Sequence, residues 1–277
     1  MTFGTWSGNQ SNRLRWFPCA AAVLVVLCAA GGLLAFQRAG MQRFQEAGDW
    51  RDSAGAQEKT EWAFARLRYG GGFGGFRRGS RWRTDWPKAD RQFVQGVSRL
   101  TRLDVRPIEE VVDPGTEELF DWPWLYAVEV GSWDFTPEEA RNMRDFFAKG
   151  GFLMVDDFHG TFEWETFQEG LRKIFPDRPL EDLRDDDPIF HVIADTSERI
   201  QVPNVGYINS HRTYERDGVI PQWRAIRDDQ GRIVVAICHN MDLGDAWEWA
   251  DNPYYPERFT SLAYRIGVNY IMYGMTH

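Results

Sequence analysis

The residues best suited to chemistry lie in GGFLMVDDFHG, Gly150 to Gly160. Asp156, Asp157 and His159 place two carboxylates and an imidazole directly after an apolar run. That donor set suits several divalent cations, or an acid/base pair. The same residues have a structural use. Asp157 can cap the following helix, and Asp156 can accept from amides of the turn. His239 and His211 add imidazoles from elsewhere in the chain. Tyr69, Gly71 and Gly72 open a glycine-rich loop, YGGGFGGFRRGS, ending at Ser80. It lacks both the Walker-type and the G-x-G-x-x-G phosphate signatures, so its glycines read as tight-turn residues. There is no G-x-S-x-G elbow. Cys238 and His239 are adjacent, and on a strand they would point to opposite faces, which disfavours a Cys–His dyad.

The elements that must position these groups alternate between strand and helix. Trp62–Tyr69 alternates apolar and polar residues, as a strand does. Thr84 or Asp85 is expected to cap a helix with Pro87 in its first turn, and Ala89, Phe93, Val97 and Leu100 share its apolar face. Short strands are expected at Val105–Ile108 and Leu125–Val130. Thr136-Pro137-Glu138-Glu139 has capping-box spacing with proline at the first helical position. Lys149 and Gly150 suit that helix's C-terminal end. Phe152–Val155 is apolar throughout, as in a parallel strand buried on both faces. A helix over Phe162–Phe175 follows. Trp223–Arg227 and Arg232–Cys238 flank Asp228-Asp229-Gln230-Gly231, a hairpin signal. A last helix runs from near Pro256 to Tyr273. This pattern predicts a doubly wound α/β domain with an added β-hairpin. In such sheets the strand C-terminal ends form the ligand crevice. Tyr69, Gly71, Gly72, Trp133, Asp156–His159 and His239 should collect there, with Asp85 assisting.

The chain has 277 residues, 43% hydrophobic and 26% charged, which is ordinary globular composition. Its net charge of -9 disfavours general nucleic-acid binding. From Trp16 to Gln37 there is no charged residue, long enough for a membrane span. Arg13 and Arg15 precede it and favour a cytoplasmic N-terminus. The expected organisation is a cytoplasmic stretch at 1–15, a transmembrane anchor or uncleaved signal at 16–37, a linker at 38–60 and a folded domain at 61–277. A cleaved signal peptide is the alternative, and both place the domain outside the cytoplasm. Of the three cysteines, Cys19 and Cys28 lie in the apolar segment, so the domain can hold no disulfide framework. Among 13 tryptophans, Trp122, Trp124 and Trp133 cluster near the Leu125–Val130 strand, and Trp247 and Trp249 lie in GDAWEWADNPYYP; buried they are core, exposed they would suit sugar or peptide stacking.

FARLRYGGG, TDWPKAD, WPWLYAVEVG, the T-P-E-E helix running into GGFLMVDDF, and DDDPIFHV together resemble a bacterial family, the domain of unknown function 4159. The resemblance spans roughly Phe64 to Tyr273. It implies a flavodoxin-like fold similar to class I glutamine amidotransferases. It brings no established activity. The amidotransferase nucleophile would be a cysteine after a strand such as Phe152–Val155, where this chain has Asp156-Asp157-Phe158-His159, so glutaminase chemistry is disfavoured. Two functions are expected. The first is a single-pass, membrane-held scaffold binding an envelope protein or small ligand at the crevice. The alternative is a hydrolase of cell-envelope carbohydrate or peptide, assisted by a divalent metal at Asp156, Asp157 and His159.

Overall fold

A computed structural model describes residues 59–70 and 81–277, together with Met1. The expected membrane segment, nearly all of the linker, and Gly71 and Gly72 lie outside the described residues. Among the described residues no helix is long and apolar enough to cross a membrane. The chain divides into two compact units, Met1–Ser53 and Ala54–His277, and the described elements belong to the second.

Seven strands form one sheet: β1 (Ala65–Leu67), β2 (Glu110–Val112), β3 (Trp124–Val128), β4 (Phe152–Asp156), β5 (Glu181–Asp182), β6 (Gln222–Arg227) and β7 (Ile233–His239). Their order is β2-β1-β3-β4-β7-β6-β5. The first five in that order run parallel, and β6 and β5 are antiparallel additions. With β7 in the fifth place, the parallel part is compatible with a flavodoxin-like order. The described α-helices are α1 (Lys88–Leu100), α2 (Pro137–Ala148), α3 (Gly160–Ile174), α4 (Tyr207–Ser210), α5 (Leu243–Glu248) and α6 (Glu257–Thr276).

Every residue of β3, β4 and β7 is buried, as expected of strands covered on both faces. Tyr126, Val128, Phe152 and Met154 share one core with Phe93 of α1, Trp247 of α5 and Phe259, Ile266 and Tyr270 of α6. Leu125, Ala127, Leu153 and Val155 alternate to the other face, and α2 and α3 pack against each other. Trp124, Trp133 and Trp247 are buried, so these three tryptophans are core. The hairpin forms, with β6 paired antiparallel to β7. The last helix also forms, with Phe259, Leu262, Ala263, Ile266 and Tyr270 buried.

Several boundaries differ from expectation, and β1 covers only Ala65–Leu67 of the strand expected over Trp62–Tyr69. The strand expected at Val105–Ile108 shrinks to a single bridge between Val105 and Trp62, and β2 forms beyond it, at Glu110–Val112. Pro107 lacks the N–H that the ladder needs. Helix α1 starts at Lys88 with Pro87 as N-cap and no side-chain cap bond. Thr84 and Asp85 therefore do not cap it.

Helix α2 forms as its sequence predicts. Thr136 accepts from Glu139 N, and Glu139 Oε2 accepts from Thr136 N at 2.7 Å. Gly150 follows in the left-handed region, with φ +101°. Thr136→Ala should cost about 0.5–2 kcal/mol. Denaturant unfolding monitored by circular dichroism checks this, and an unchanged midpoint would contradict it.

Candidate functional site

The C-terminal ends of the parallel strands carry a dense set of acids. Asp85 comes from the loop after β1, and Glu129 directly follows β3. Asp157 and His159 follow β4, Glu163 lies on α3, and Asp242 and Asp245 lie after β7. Glu215 and Arg216 come from the segment between α4 and β6. Together with Thr84 and Asn204 they line a pocket of about 200 Å³. A larger cleft, about 1100 Å³, lies beside Gly150 and the C-terminal residues of α2, α3 and α6. Its Arg178 and Arg232 are engaged by Asp229 and Asp228, and it gathers no comparable set of buried acids.

The backbone aims these side chains at a cost. Asp85, Glu129, Asp157, Arg216 and Asn240 all have φ between +49° and +64°. Each non-glycine residue there costs on the order of 1 kcal/mol. Such strain gathers where function demands a particular side-chain direction. Asn240 holds the turn after β4: its Oδ1 accepts from Gly160 N at 2.8 Å, and its own N–H donates to Phe158 O at 3.0 Å.

The two neighbouring aspartates have separate tasks. Asp156 Oδ2 accepts from Leu243 N, Gly244 N and Tyr126 Oη at 2.8, 3.0 and 3.1 Å. It thus anchors the start of α5, while its Oδ1 is buried without a partner. Asp157 does not cap α3, whose N-cap is His159 with no side-chain cap bond. Asp157 Oδ1 instead lies 3.1 Å from His159 Nε2, and Glu215 Oε1 lies 3.6 Å from the same nitrogen. Asp242 caps α5 through Asp245 N at 2.7 Å.

Two sets of ligand atoms converge, each within 4.8 Å of one another: Asp157, His159 and Glu215, and Asp85, Asp157 and Asp242. A third set joins Asp85 to Asp245 and Glu248. Asp85 Oδ2 is buried and has no hydrogen-bond partner. Burial first, and then the charges of Asp157 and Asp245, push the Asp85 carboxyl well above its usual range. Asp157 and Asp242 are raised for the same two reasons, burial leading. Burial lowers His159. The arginines sit at the rim: Arg81 donates to Glu129 at 2.6 Å, and Arg216 pairs with Glu163.

Burial lifts Asp156 to about 7 against 3.8, outweighing its three hydrogen bonds. The folded state then holds a proton that the unfolded state releases. With divalent cations chelated, this group's contribution to stability falls as pH rises from about 4 to 7. Asp156→Asn should gain stability relative to the parent protein between pH 5 and pH 8. Melting curves of both proteins across that range would show it, and a constant difference would refute the assignment.

Other expected site residues take different places. Tyr69 is buried, and its hydroxyl donates to Val128 O at 2.8 Å, so it braces the end of β3. Trp133 is buried against Phe167 and donates to Phe167 O, away from the acids. His239 stacks between Phe158 and Trp164 in a neighbouring pocket of about 300 Å³, and burial lowers it to about 4. Cys238 is buried beside Tyr270, and burial raises its thiol well above the usual range. His211 ends α4 and lines neither pocket. Asp242, Asp245, Glu215 and Glu129 were not expected. The helix-start spacing of Asp242 and Asp245 after an apolar strand was a usable signal for two of them.

A family model described as a domain of unknown function, DUF4159, matches residues 63–275. The comparison with curated proteins finds no match.

Proposed function

The chain belongs to the DUF4159 family, and on that premise we propose that its domain is a divalent-cation-dependent hydrolase of cell-envelope carbohydrate or peptide. One observation carries the reading. Asp85, Asp157 and Asp242 converge in one pocket, with Asp157 and Asp242 buried and Asp85 half-buried, and among the described residues none of them pairs with Lys or Arg. Buried carboxylates are stable only when neutralised or paired, and hard oxygen donors suit Mg²⁺, Mn²⁺ or Ca²⁺. A cation bound there would polarise a substrate oxygen or acidify a water. His159, with Nε2 3.1 Å from Asp157 Oδ1, adds an imidazole donor beside these carboxylates. Asp156 supports this set from beneath rather than joining it.

Glutaminase chemistry stays disfavoured, because the position after β4 is Asp157 and the domain's cysteine is buried. The kinship to amidotransferases, the anchor at 16–37 and the extracytoplasmic location belong to the same proposal. They rest on the sequence resemblance and on the uncharged run from Trp16 to Gln37. A binding scaffold at the same crevice is the second reading, favoured by the absence of a thiol from the pocket lining among the described residues.

The test is metal analysis of the purified full chain, followed by hydrolysis assays on peptidoglycan fragments with and without chelator. The expected result is bound divalent metal and turnover that chelation removes. A chain that takes up no divalent cation, with melting unaffected by cation or chelator, would overturn the reading.

A further inference from the structure

We propose that the pocket holds two cations bridged by Asp157, one on Asp85 and Asp242 and the other on His159 and Glu215. This rests on the metal-dependent reading above and extends it from a single ion to a co-catalytic pair. Of the three convergent sets, the one that includes His159 meets the Asp85–Asp242 set only at Asp157. A carboxylate has two oxygens and can serve one cation with each. Bridged ions of this kind stand about 3.5–4 Å apart, a spacing that two ligand sets sharing one side chain naturally produce.

Charge supports the same count. Asp85, Asp157, Asp242, Asp245 and Glu215 face one small pocket. Among the described residues none of these carboxylates forms an ion pair with Lys or Arg. One divalent ion would leave most of that charge unbalanced. Two features go beyond a mere gathering of acids. Asp85 Oδ2 is buried and unpartnered, and Asp85 offers a carboxylate oxygen within 4.8 Å of oxygens of Asp157 and Asp242. The His159 side chain is 6% exposed and turns Nε2 toward both Asp157 and Glu215. The donor sets also differ. The first is all oxygen and suits a hard ion such as Mg²⁺ or Mn²⁺. The second includes an imidazole and suits Mn²⁺, Fe²⁺ or Zn²⁺.

The experiment titrates chelator-stripped full-length protein with Mn²⁺. Calorimetry gives the stoichiometry, and electron paramagnetic resonance reports coupling between bound ions. Circular dichroism confirms the fold of each variant. The expected result is two Mn²⁺ per chain with a spin-coupled signal. His159→Ala should leave one uncoupled ion, as should Asp85→Asn. One ion per chain, undisturbed by His159→Ala, would overturn the pair and leave the single-cation reading standing. No bound Mn²⁺ at all would remove both.

Discussion

Asp157→Asn is expected to abolish cation binding and leave a folded, more stable apoprotein. Asp157 contributes to both ligand sets of the proposed pair, so its loss removes a donor from each. Loss of a single supporting partner around a metal typically costs 10–100-fold in affinity, so loss of a shared ligand should cost at least about 100-fold. The stability effect has the opposite sign. Burial and neighbouring carboxylates raise the Asp157 pKa, so ionising it opposes folding near neutral pH. Asparagine is neutral, and it tolerates the left-handed backbone at φ +52°. In chelator at pH 8 the variant should melt above the parent protein. With saturating Mn²⁺ the order should reverse, because only the parent is stabilised by binding. Two melting curves per protein decide it. A variant that keeps a cation-induced rise equal to the parent's would refute the ligand assignment. A variant that loses the rise but melts no higher in chelator would refute the charge argument alone.

Arg66→Met should be the most damaging single change to the described fold. Arg66 lies on β1 with its side chain wholly buried. Nε donates to Asp90 Oδ2 at 2.8 Å, and Nη2 donates to the other carboxylate oxygen. Nη1 donates to the carbonyls of Trp82 and Thr84 at 3.0 and 3.1 Å. The guanidinium therefore ties α1 to β1 and fastens the segment that presents Asp85. Methionine would strand the buried Asp90 carboxylate and free two carbonyls. Breaking such a pair costs about 3–5 kcal/mol, a large part of the roughly 5–15 kcal/mol stability of an ordinary domain. Replacing both partners, as in Arg66→Met with Asp90→Leu, should recover much of that loss. Urea midpoints of the single and double variants test this. Equal destabilisation in both would show that the carbonyl bonds, rather than the ion pair, carry the effect. The single variant should also bind Mn²⁺ more weakly, because Asp85 loses its brace.

Much of the architecture was legible because local chemistry reports it. Thr136 and Glu139 satisfy each other's backbone amides whatever the rest of the chain does, so α2 could be read from four residues. The unbroken apolar run of β4 could only be buried on both faces, and that called for a parallel sheet. Asp156, Asp157 and His159 were legible as candidates because they follow that strand. Their division of labour was not. Neighbouring residues leave a strand end in different directions, and the left-handed backbone of Asp157 is set by the contact of its N–H with Met241 O. Asp85 read as a helix cap from spacing alone. The bonds of Arg66 to Trp82 O and Thr84 O hold the segment otherwise, and α1 starts later.

By itself, the sequence determined the alternation of strands and helices, the capped helix α2, the closing hairpin and the crevice-facing acids after β4. These follow from period, turn residues and caps, which act over a few residues. The tertiary structure alone decided which acids meet. Asp85, Asp157, Glu215 and Asp242 stand far apart along the chain. They converge because parallel crossovers bring Asp85, Asp157 and Asp242 to one edge of the sheet, where the segment before antiparallel β6 adds Glu215. The same packing buries Asp157 and Asp242, half-buries Asp85 and Glu215, and leaves Asp85 Oδ2 without a partner. It turns a set of ordinary carboxylates into a pocket whose charge calls for cations.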